Sequence, residues 1–157
     1  MLQTRTVEPG TLGLLKSLMS MSALDHYYLV GGTALALQLG HRISVDLNLF
    51  TSQPIDKSGL LDALQTSFEV LVETEGANML ITNINAIKVD FVKMSYPVLF
   101  PPIVKEGVRM LEIRVIAPMK LKAVTQRGSK KDFYDIYYLL ESLSFRCCWR
   151  DVNNGRR

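Results

Sequence analysis

The sequence predicts one α+β domain in which helices flank a β-sheet. Three observations predict this class: a two-glycine turn before a helix-favouring segment, a strand with period-two alternation, and three later strand-like segments followed by two helices. The 157 residues correspond to about one domain, and no internal repeat or Pro/Gly-rich linker divides them. We therefore expect a domain over residues 1–145 and a basic tail over 146–157.

The first predicted elements surround the pair of glycines. Apolar spacing predicts a helix over 11–24, and an apolar run predicts a strand over 27–30. Gly31 and Gly32 then lie between that strand and the start of a helix over 34–39. Gly40 is a typical helix stop.

Residues 43–49 carry the clearest strand pattern of the chain. Apolar and polar residues alternate in the order Ile43, Ser44, Val45, Asp46, Leu47, Asn48 and Leu49. Because strand side chains alternate between faces, the pattern predicts four apolar residues on one face and three polar residues on the other.

The later part of the chain predicts a meander and then two helices. The expected elements are a helix over 57–67, strands over 68–73, 79–84 and 86–94, and an extended crossing over 97–102. Pro118 is a typical first-turn residue and Gly128 a typical stop, so a helix is expected between them. Ser129 would cap a last helix over 130–143 with the apolar stripe Phe133, Ile136, Tyr137 and Leu140.

Composition excludes several classes of protein. Hydrophobic residues make up 48% and charged residues 21%, which is typical of a folded chain. No apolar run is long enough to span a membrane, and the N-terminus lacks the pattern of a signal peptide. Cys147 and Cys148 are adjacent and too few for a disulfide framework, so we expect a cytoplasmic location. A net charge of +3 allows an anionic partner without requiring one.

Acidic side chains on two predicted strands indicate phosphoryl-transfer chemistry. If these strands are neighbours, Asp46, Asn48 and Asp90 share one face of the sheet near the glycine turn. Magnesium prefers carboxylates together with phosphate oxygens, and a helix N-terminus opened by glycines favours bound phosphate. The arrangement predicts a site for a nucleoside triphosphate with Mg²⁺.

The residues that carry this chemistry resemble a known family. The motifs are Gly-Gly-Thr-Ala-Leu-Ala-Leu over 31–37, His-Arg-x-Ser-x-Asp-x-Asn over 41–48, Lys-Val-Asp-Phe over 88–91, Lys-Leu-Lys-Ala over 120–123 and Lys-Asp-Phe-Tyr-Asp over 131–135. In this order they resemble the AbiEii/AbiGii-type nucleotidyltransferase toxins, within the DNA polymerase β-like superfamily. The resemblance covers about residues 10–143.

The resemblance implies a minimal nucleotidyltransferase fold with a mixed sheet. It implies transfer of a nucleoside monophosphate from a nucleoside triphosphate to an acceptor such as tRNA, by the toxin of a toxin–antitoxin or phage-defence pair. One position departs from the pattern, because the family strand reads Asp-x-Asp and this chain has Asn48 in the second place. An amide is a weaker metal ligand than a carboxylate. We therefore expect a weakened or inactive enzyme; the alternative is a nucleotide- or antitoxin-binding module.

Each predicted site residue has a structural alternative. Gly31, Gly32 and Thr33 would hold the triphosphate, although Thr33 could simply cap the helix. Arg42 could bind a phosphate or pair with a nearby acid. Lys120 would neutralise triphosphate charge, against a solvated helix face as the alternative.

The last two predicted site residues are Asp132 and Asp135. Ser129 and Asp132 have the spacing of a capping box. Alternatively, Asp132 and Asp135 lie one helical turn apart and could orient Lys120 or Arg127, or help to activate the acceptor. The basic tail could bind nucleic acid through its arginines and Trp149, or carry no function. A small-molecule nucleotidyltransferase is a third class of function, and it would need an acceptor pocket.

Overall fold

A computed structural model describes residues 1–143, which form a seven-stranded mixed sheet with five helices and confirm the α+β class. The predicted tail and both cysteines lie outside the described residues, and the boundary at residue 145 stays a prediction. Over residues 1–143, none of the helices is both long and apolar enough to cross a membrane.

The helices lie beside a sheet whose strands do not follow chain order. The helices are α1 (Pro9–Met19), α2 (Gly31–Leu39), α3 (Lys57–Gln65), α4 (Ile113–Gln126) and α5 (Lys130–Ser142). The strands are β1 (Tyr28–Val30), β2 (Leu47–Thr51), β3 (Val70–Gly76), β4 (Met79–Ile84), β5 (Ile87–Lys93), β6 (Ile103–Lys105) and β7 (Val108–Met110). Their order across the sheet is β3-β4-β5-β2-β1-β7-β6.

The centre of the sheet is the parallel pair β2 and β5. Leu47 lies opposite Val89 and Leu49 opposite Phe91, and all four side chains are fully buried. Strands β1 and β7 are also parallel, whereas the other neighbouring pairs are antiparallel. Because apolar residues of β2 and β5 point into the core, the intervening polar residues point to the opposite face.

The strand predicted over 43–49 is shifted toward the C-terminus, since β2 runs from Leu47 to Thr51. Leu47 and Leu49 are buried as predicted, but Ile43 is 68% exposed and Val45 43% exposed, whereas Ser44 is buried. The backbone N–H of Ser44 donates to the carbonyl oxygen of Thr6, outside the sheet. Residues 43–46 are therefore a connection, and their alternation does not reflect strand pairing.

The meander is close to its prediction, whereas a second hairpin was not predicted. Strand β4 has the predicted bounds, β5 is one residue shorter at each end, and β3 begins two residues late and extends to Gly76. Strands β6 and β7 are three residues each, joined by Glu106 and Gly107 with φ of 51° and 81°. Segments of three residues are too short for a periodicity signal.

Several helix boundaries differ from the predictions. Helix α2 begins at Gly31, so the two glycines form its first turn and do not precede it. Helix α1 ends at Met19, and a separate 3₁₀ turn spans Ser22–Leu24. Helix α4 begins at Ile113, so Pro118 lies inside it and not in its first turn. The proline removes one helix hydrogen bond, and the burial of other α4 side chains, such as Ile116, offsets this loss. Gly40 ends α2 as predicted, with φ of 71°.

The predicted apolar stripe of α5 is wrong, although the bounds of the helix are nearly right. Phe133 is 57% exposed and Tyr137 58% exposed. The side chains that α5 buries are instead Asp132, Asp135 and Leu139. This inversion is explained by cations from neighbouring segments, which enclose the two carboxylates.

Candidate active site

Strands β2 and β5 bring two polar side chains together on the face opposite the core. Asn48 and Asp90 are register partners in this parallel pair. Asp46 precedes β2 by one residue, and all three residues line one cleft together with Gly32. The structure therefore assembles the predicted acidic group beside the glycine turn.

The carboxylate of Asp90 is the most constrained member of this group. Its Oδ1 atom is buried without a hydrogen-bond partner among residues 1–143, and Lys88 Nζ lies 3.9 Å away. Burial raises the pKa of Asp90; Lys88 lowers it, and the charges of Asp46 and Glu73 raise it further. An additional cation in the cleft would stabilise the ionised carboxylate of Asp90 against burial and against the charges of Asp46 and Glu73.

The donor set suits magnesium but is sparse. Asp46 and Asp90 offer carboxylate oxygens, and the Asn48 amide offers a neutral oxygen, all of which are ligand types that Mg²⁺ accepts. The described residues contain no cluster of three or more acids, histidines or cysteines that could hold a metal ion. The Asp90 oxygen that lacks a hydrogen-bond partner among residues 1–143 fits a cation, whereas the neutral amide of Asn48 lowers the negative charge available to that cation.

The two glycines permit close packing at the start of α2. Gly31 has φ of 72°, and a Cβ atom there would lie 2.9 Å from Asn48 Nδ2. A Cβ atom on Gly32 would collide with the guanidinium of Arg42. Close packing against Asn48 and Arg42 is therefore a structural reason for glycine at both positions. The lack of side chains also leaves the first turn of α2 open beside Asn48 and the cleft.

Thr33 is fully buried and does not cap α2 with its side chain. Its hydroxyl hydrogen-bonds the carbonyl oxygen of Asp46 and lies 2.9 Å from the Ser44 hydroxyl. These contacts tie the connection before β2 to α2. Thr33 thus positions the backbone at Asp46, and its hydroxyl is not presented to a phosphate.

One wall of the cleft is a cluster of ions between α4 and α5. Lys120 Nζ lies 3.1 Å from Asp132 Oδ1 and 2.7 Å from Asp135 Oδ2. Arg127 donates to both oxygens of Asp132 at 2.7 and 2.9 Å, and the Ser129 hydroxyl donates to it at 2.6 Å. Ser129 therefore does not form the expected capping box, because its side chain binds the carboxylate and not a backbone N–H.

Asp135 is the second fully buried acid of this cluster. His41 Nε2 lies 2.7 Å from its Oδ1 atom, and Arg42 donates to both oxygens at 2.7 and 2.9 Å. For Arg42 the structure therefore shows the acid-pairing alternative, although its side chain also borders the cleft. The side chain of His41 is fully buried against the Asp135 carboxylate.

Hydrogen bonds keep both acids ionised. The bond from Arg127 is the main cause that lowers the pKa of Asp132; burial opposes it, and bonds from Ser129 and Lys120 add to it. Burial raises the pKa of Asp135, but bonds from His41, Arg42 and Lys120 outweigh it and hold the pKa well below its usual range. Because both carboxylates are occupied, the geometry favours a role in orienting cations over activation of an acceptor.

Cations that the sequence did not single out complete the wall. The basic residues that line this larger cleft, of about 540 Å³, are Arg42, Lys88, Lys120, Arg127, Lys130 and Lys131. Lys88 and Lys131 fall within the quoted motifs but carried no predicted role, because a lone lysine is typical of a solvated face. Lys88 lies on β5 beside Asp90, whereas the position of Lys131 at the cleft depends on the tertiary packing of α5.

A smaller cleft of about 290 Å³ adjoins the larger one. The two share Gly32, Asn48, Lys120 and Arg127. The smaller cleft also contains aromatic and aliphatic side chains, which the larger one lacks. Sequence patterns did not indicate this cleft, because its residues come from β1, the start of α2, β2, the crossing before β6, α4 and the residue after α4.

Comparison with known proteins identifies related sequences. The family model "Nucleotidyl transferase AbiEii toxin, Type IV TA system" matches residues 13–148. The uncharacterized protein aq_aa25 of Aquifex aeolicus is 35% identical over 130 residues, which are 80% of this chain and 63% of that protein. The chain thus spans less than two thirds of the length of this relative.

Solved structures share the fold at low sequence identity. ANT(2″)-Ia in complex with adenylyl-2″-tobramycin superposes with a TM-score of 0.67 at 16% identity, covering 94% of this chain and 97% of that one. The Megavirus polyadenylate synthase superposes with a TM-score of 0.61 at 16% identity, covering 88% of this chain and 33% of that one. These likenesses show a nucleotidyltransferase fold.

Proposed function

Since the chain belongs to the AbiEii nucleotidyltransferase toxin family, we propose that it transfers a nucleoside monophosphate from a nucleoside triphosphate to an RNA acceptor such as tRNA. The observation that carries this proposal is the larger cleft, in which the glycine turn, two carboxylates and a wall of cations face one another. Its partner in the cell would be a cognate antitoxin.

The cation wall supplies the charge that a triphosphate needs. Lys120 is 7% exposed and held by two acids, so its position at the edge of the cleft costs little reorganisation when a phosphate binds. The side chain of Arg127 is 64% exposed and anchored on Asp132, which leaves part of its donor fork for a phosphate oxygen. The first turn of α2 adds backbone N–H groups.

The reaction forms a bond between an acceptor hydroxyl oxygen and the α-phosphorus, and it breaks the bond to the β-phosphate. Pyrophosphate leaves and the hydroxyl proton passes to water. Asp46 and Asp90 would hold magnesium, with the Asn48 oxygen as a third ligand; when bound, magnesium neutralises charge on the triphosphate and the leaving pyrophosphate. With Asn48 in place of a carboxylate, we propose that the activity is weak or absent.

A transfer assay with labelled nucleoside triphosphates, magnesium and total tRNA tests the proposal. The variants are Asn48→Asp, Asp46→Asn and Asp90→Asn, with Asp25→Asn as a control because Asp25 is an exposed acid outside both clefts. We expect Asn48→Asp to raise transfer by about tenfold or more, since one ligand gains a full charge. Asp46→Asn and Asp90→Asn, each combined with Asn48→Asp, should abolish the transfer that Asn48→Asp alone shows.

Two results would contradict the proposal in different ways. Transfer that persists unchanged in Asp46→Asn and Asp90→Asn, each combined with Asn48→Asp, would mean that the cleft is not the active site. Triphosphate binding without transfer, in Asn48→Asp as well as in the natural chain, would favour the alternative of a binding module.

A further inference from the structure

The smaller cleft differs in chemistry from the larger one. Its apolar wall is formed by Val30, Phe50, Tyr96, Ile116 and Met119. Its volume of about 290 Å³ lies at the lower end of the range for ligand pockets, so it suits a part of a nucleotide and not the whole. The two clefts share four lining residues, Gly32, Asn48, Lys120 and Arg127, and therefore lie side by side.

A nucleoside triphosphate has two ends with opposite requirements. Its phosphates need cations and backbone N–H groups, whereas its base needs flat apolar surfaces and a few polar atoms. The larger cleft meets the first requirement with its basic wall, and the smaller cleft meets the second with Tyr96 and Phe50. One molecule could lie across Gly32 and Asn48 with one end in each cleft.

We propose that the smaller cleft binds the nucleobase of the donor nucleotide and that Gln126 determines which base is accepted. The inference rests on the proposed function, because it assigns the second half of the same ligand. Gln126 is the last residue of α4 and lines this cleft but not the larger one.

The side chain of Gln126 is available for recognition. It makes no hydrogen bond with any of residues 1–143, whereas Lys120 and Arg127, which also line the smaller cleft, are bound to acids. An amide offers one acceptor and two donors, which complement the polar edge of a base. Tyr96 is 47% exposed at the cleft, so its ring has a free surface on which a base can pack.

Binding constants for the four nucleoside triphosphates and for inorganic tripolyphosphate test this assignment, measured on the full chain with magnesium. The variants are Gln126→Leu and Tyr96→Ala. The control is Gln65→Leu, because Gln65 is likewise the last residue of its helix but is exposed outside both clefts. Thermal unfolding of each variant verifies that it is folded.

We expect Gln126→Leu to change the affinity ratios among the four nucleotides by about three- to tenfold, the effect of one hydrogen bond. Tyr96→Ala should weaken all four by about tenfold through loss of packing against the base. Neither variant should change tripolyphosphate binding, and Gln65→Leu should change nothing.

Other outcomes separate this inference from the proposed function. If Gln126→Leu still binds nucleotides with unchanged affinity ratios among the four, the assignment of the base to the smaller cleft is overturned and the proposed function is not. The smaller cleft would then be a candidate site for the acceptor. Nucleotides that bind no more tightly than tripolyphosphate would overturn it as well. Absence of binding by both nucleotides and tripolyphosphate would overturn the proposed function together with the inference.

Discussion

The guanidinium of Arg42 and the carboxylate of Asp135 form a two-bond ion pair, with Nε 2.7 Å from Oδ1 and Nη2 2.9 Å from Oδ2. The pair joins the connection after α2 to α5, across 93 residues of chain. Asp135 is fully buried, so its charge is stabilised by these donors and not by water. Helix α5 is thus attached to the domain in large part through ions.

Arg42→Ala should lower the free energy of unfolding by about 2 kcal/mol. Removal of one partner of a buried pair costs more than the pair contributes, although His41 and Lys120 still contact Asp135 and reduce the loss. Urea unfolding measures the change, with Arg5→Ala as a control at an exposed position. A loss equal to that of the control would show that the pair does not stabilise the domain.

The stability of the domain should fall at acidic pH. The pKa values of Asp132 and Asp135 are lower in the folded chain than in the unfolded chain, where an aspartate titrates near pH 4. Their contribution is therefore complete above about pH 5 and is lost progressively as the pH falls through and below the unfolded value.

Urea unfolding at several pH values between 3 and 7 measures this dependence. The variant Asp132→Asn lacks one of the two titrating groups, so its unfolding free energy should fall less steeply with pH than that of the natural chain. Identical slopes would assign the acid sensitivity to other carboxylates.

Part of the fold could be predicted because local patterns and packing agree. In β5, Val89 and Phe91 are buried as period two predicts, and β4 has the bounds read from its turns. Asn48 and Asp90 lie on one face of the sheet, as the alternation in each predicted strand indicates, whereas Asp46 reaches the same cleft from the connection before β2. These features depend on near neighbours along the chain, which the sequence displays directly.

Other features depend on contacts between distant residues. The amphipathic pattern of α5 suggested that Phe133 and Tyr137 are buried, but Asp132 and Asp135 are buried instead. Their burial is possible only because Arg42 and Lys120, from other elements, lie against them. The hydrophobicity of one helix contains no information about such partners. The burial of acids instead of aromatic residues on α5, and the full set of cations at the cleft, could therefore be found only from the tertiary structure.

Two glycine substitutions should have opposite effects on stability. Gly31→Ala should lower the free energy of unfolding by about 1–3 kcal/mol, because Gly31 has φ of 72° and its Cβ would crowd Asn48. Gly13→Ala should raise it by about 0.5–1 kcal/mol, because Gly13 lies in α1 with open space around it. Chemical denaturation compares them, and equal signs would contradict the backbone assignment at Gly31.

The position of Asn48 beside Asp90 makes a prediction about metal dependence. In Asn48→Asp, the new carboxylate lies in register with Asp90 and two residues from Asp46. The charge of Asp46 already acts on Asp90, so the variant brings three carboxylates together. Like charges at this distance repel, so without divalent metal the variant should be less stable than the natural chain by about 1 kcal/mol. Magnesium should reverse this loss, because it binds the added carboxylate more tightly than an amide.

Thermal unfolding in EDTA and in magnesium measures both effects without any substrate. The midpoint of Asn48→Asp should rise by several degrees on addition of magnesium, and that of the natural chain by less. Gln65→Glu makes the same change from amide to carboxylate at an exposed position outside the clefts, and its midpoint should respond to magnesium no more than that of the natural chain. An equal magnesium response in Asn48→Asp and Gln65→Glu would mean that position 48 is not a metal ligand, and the defect attributed to Asn48 would then need another cause.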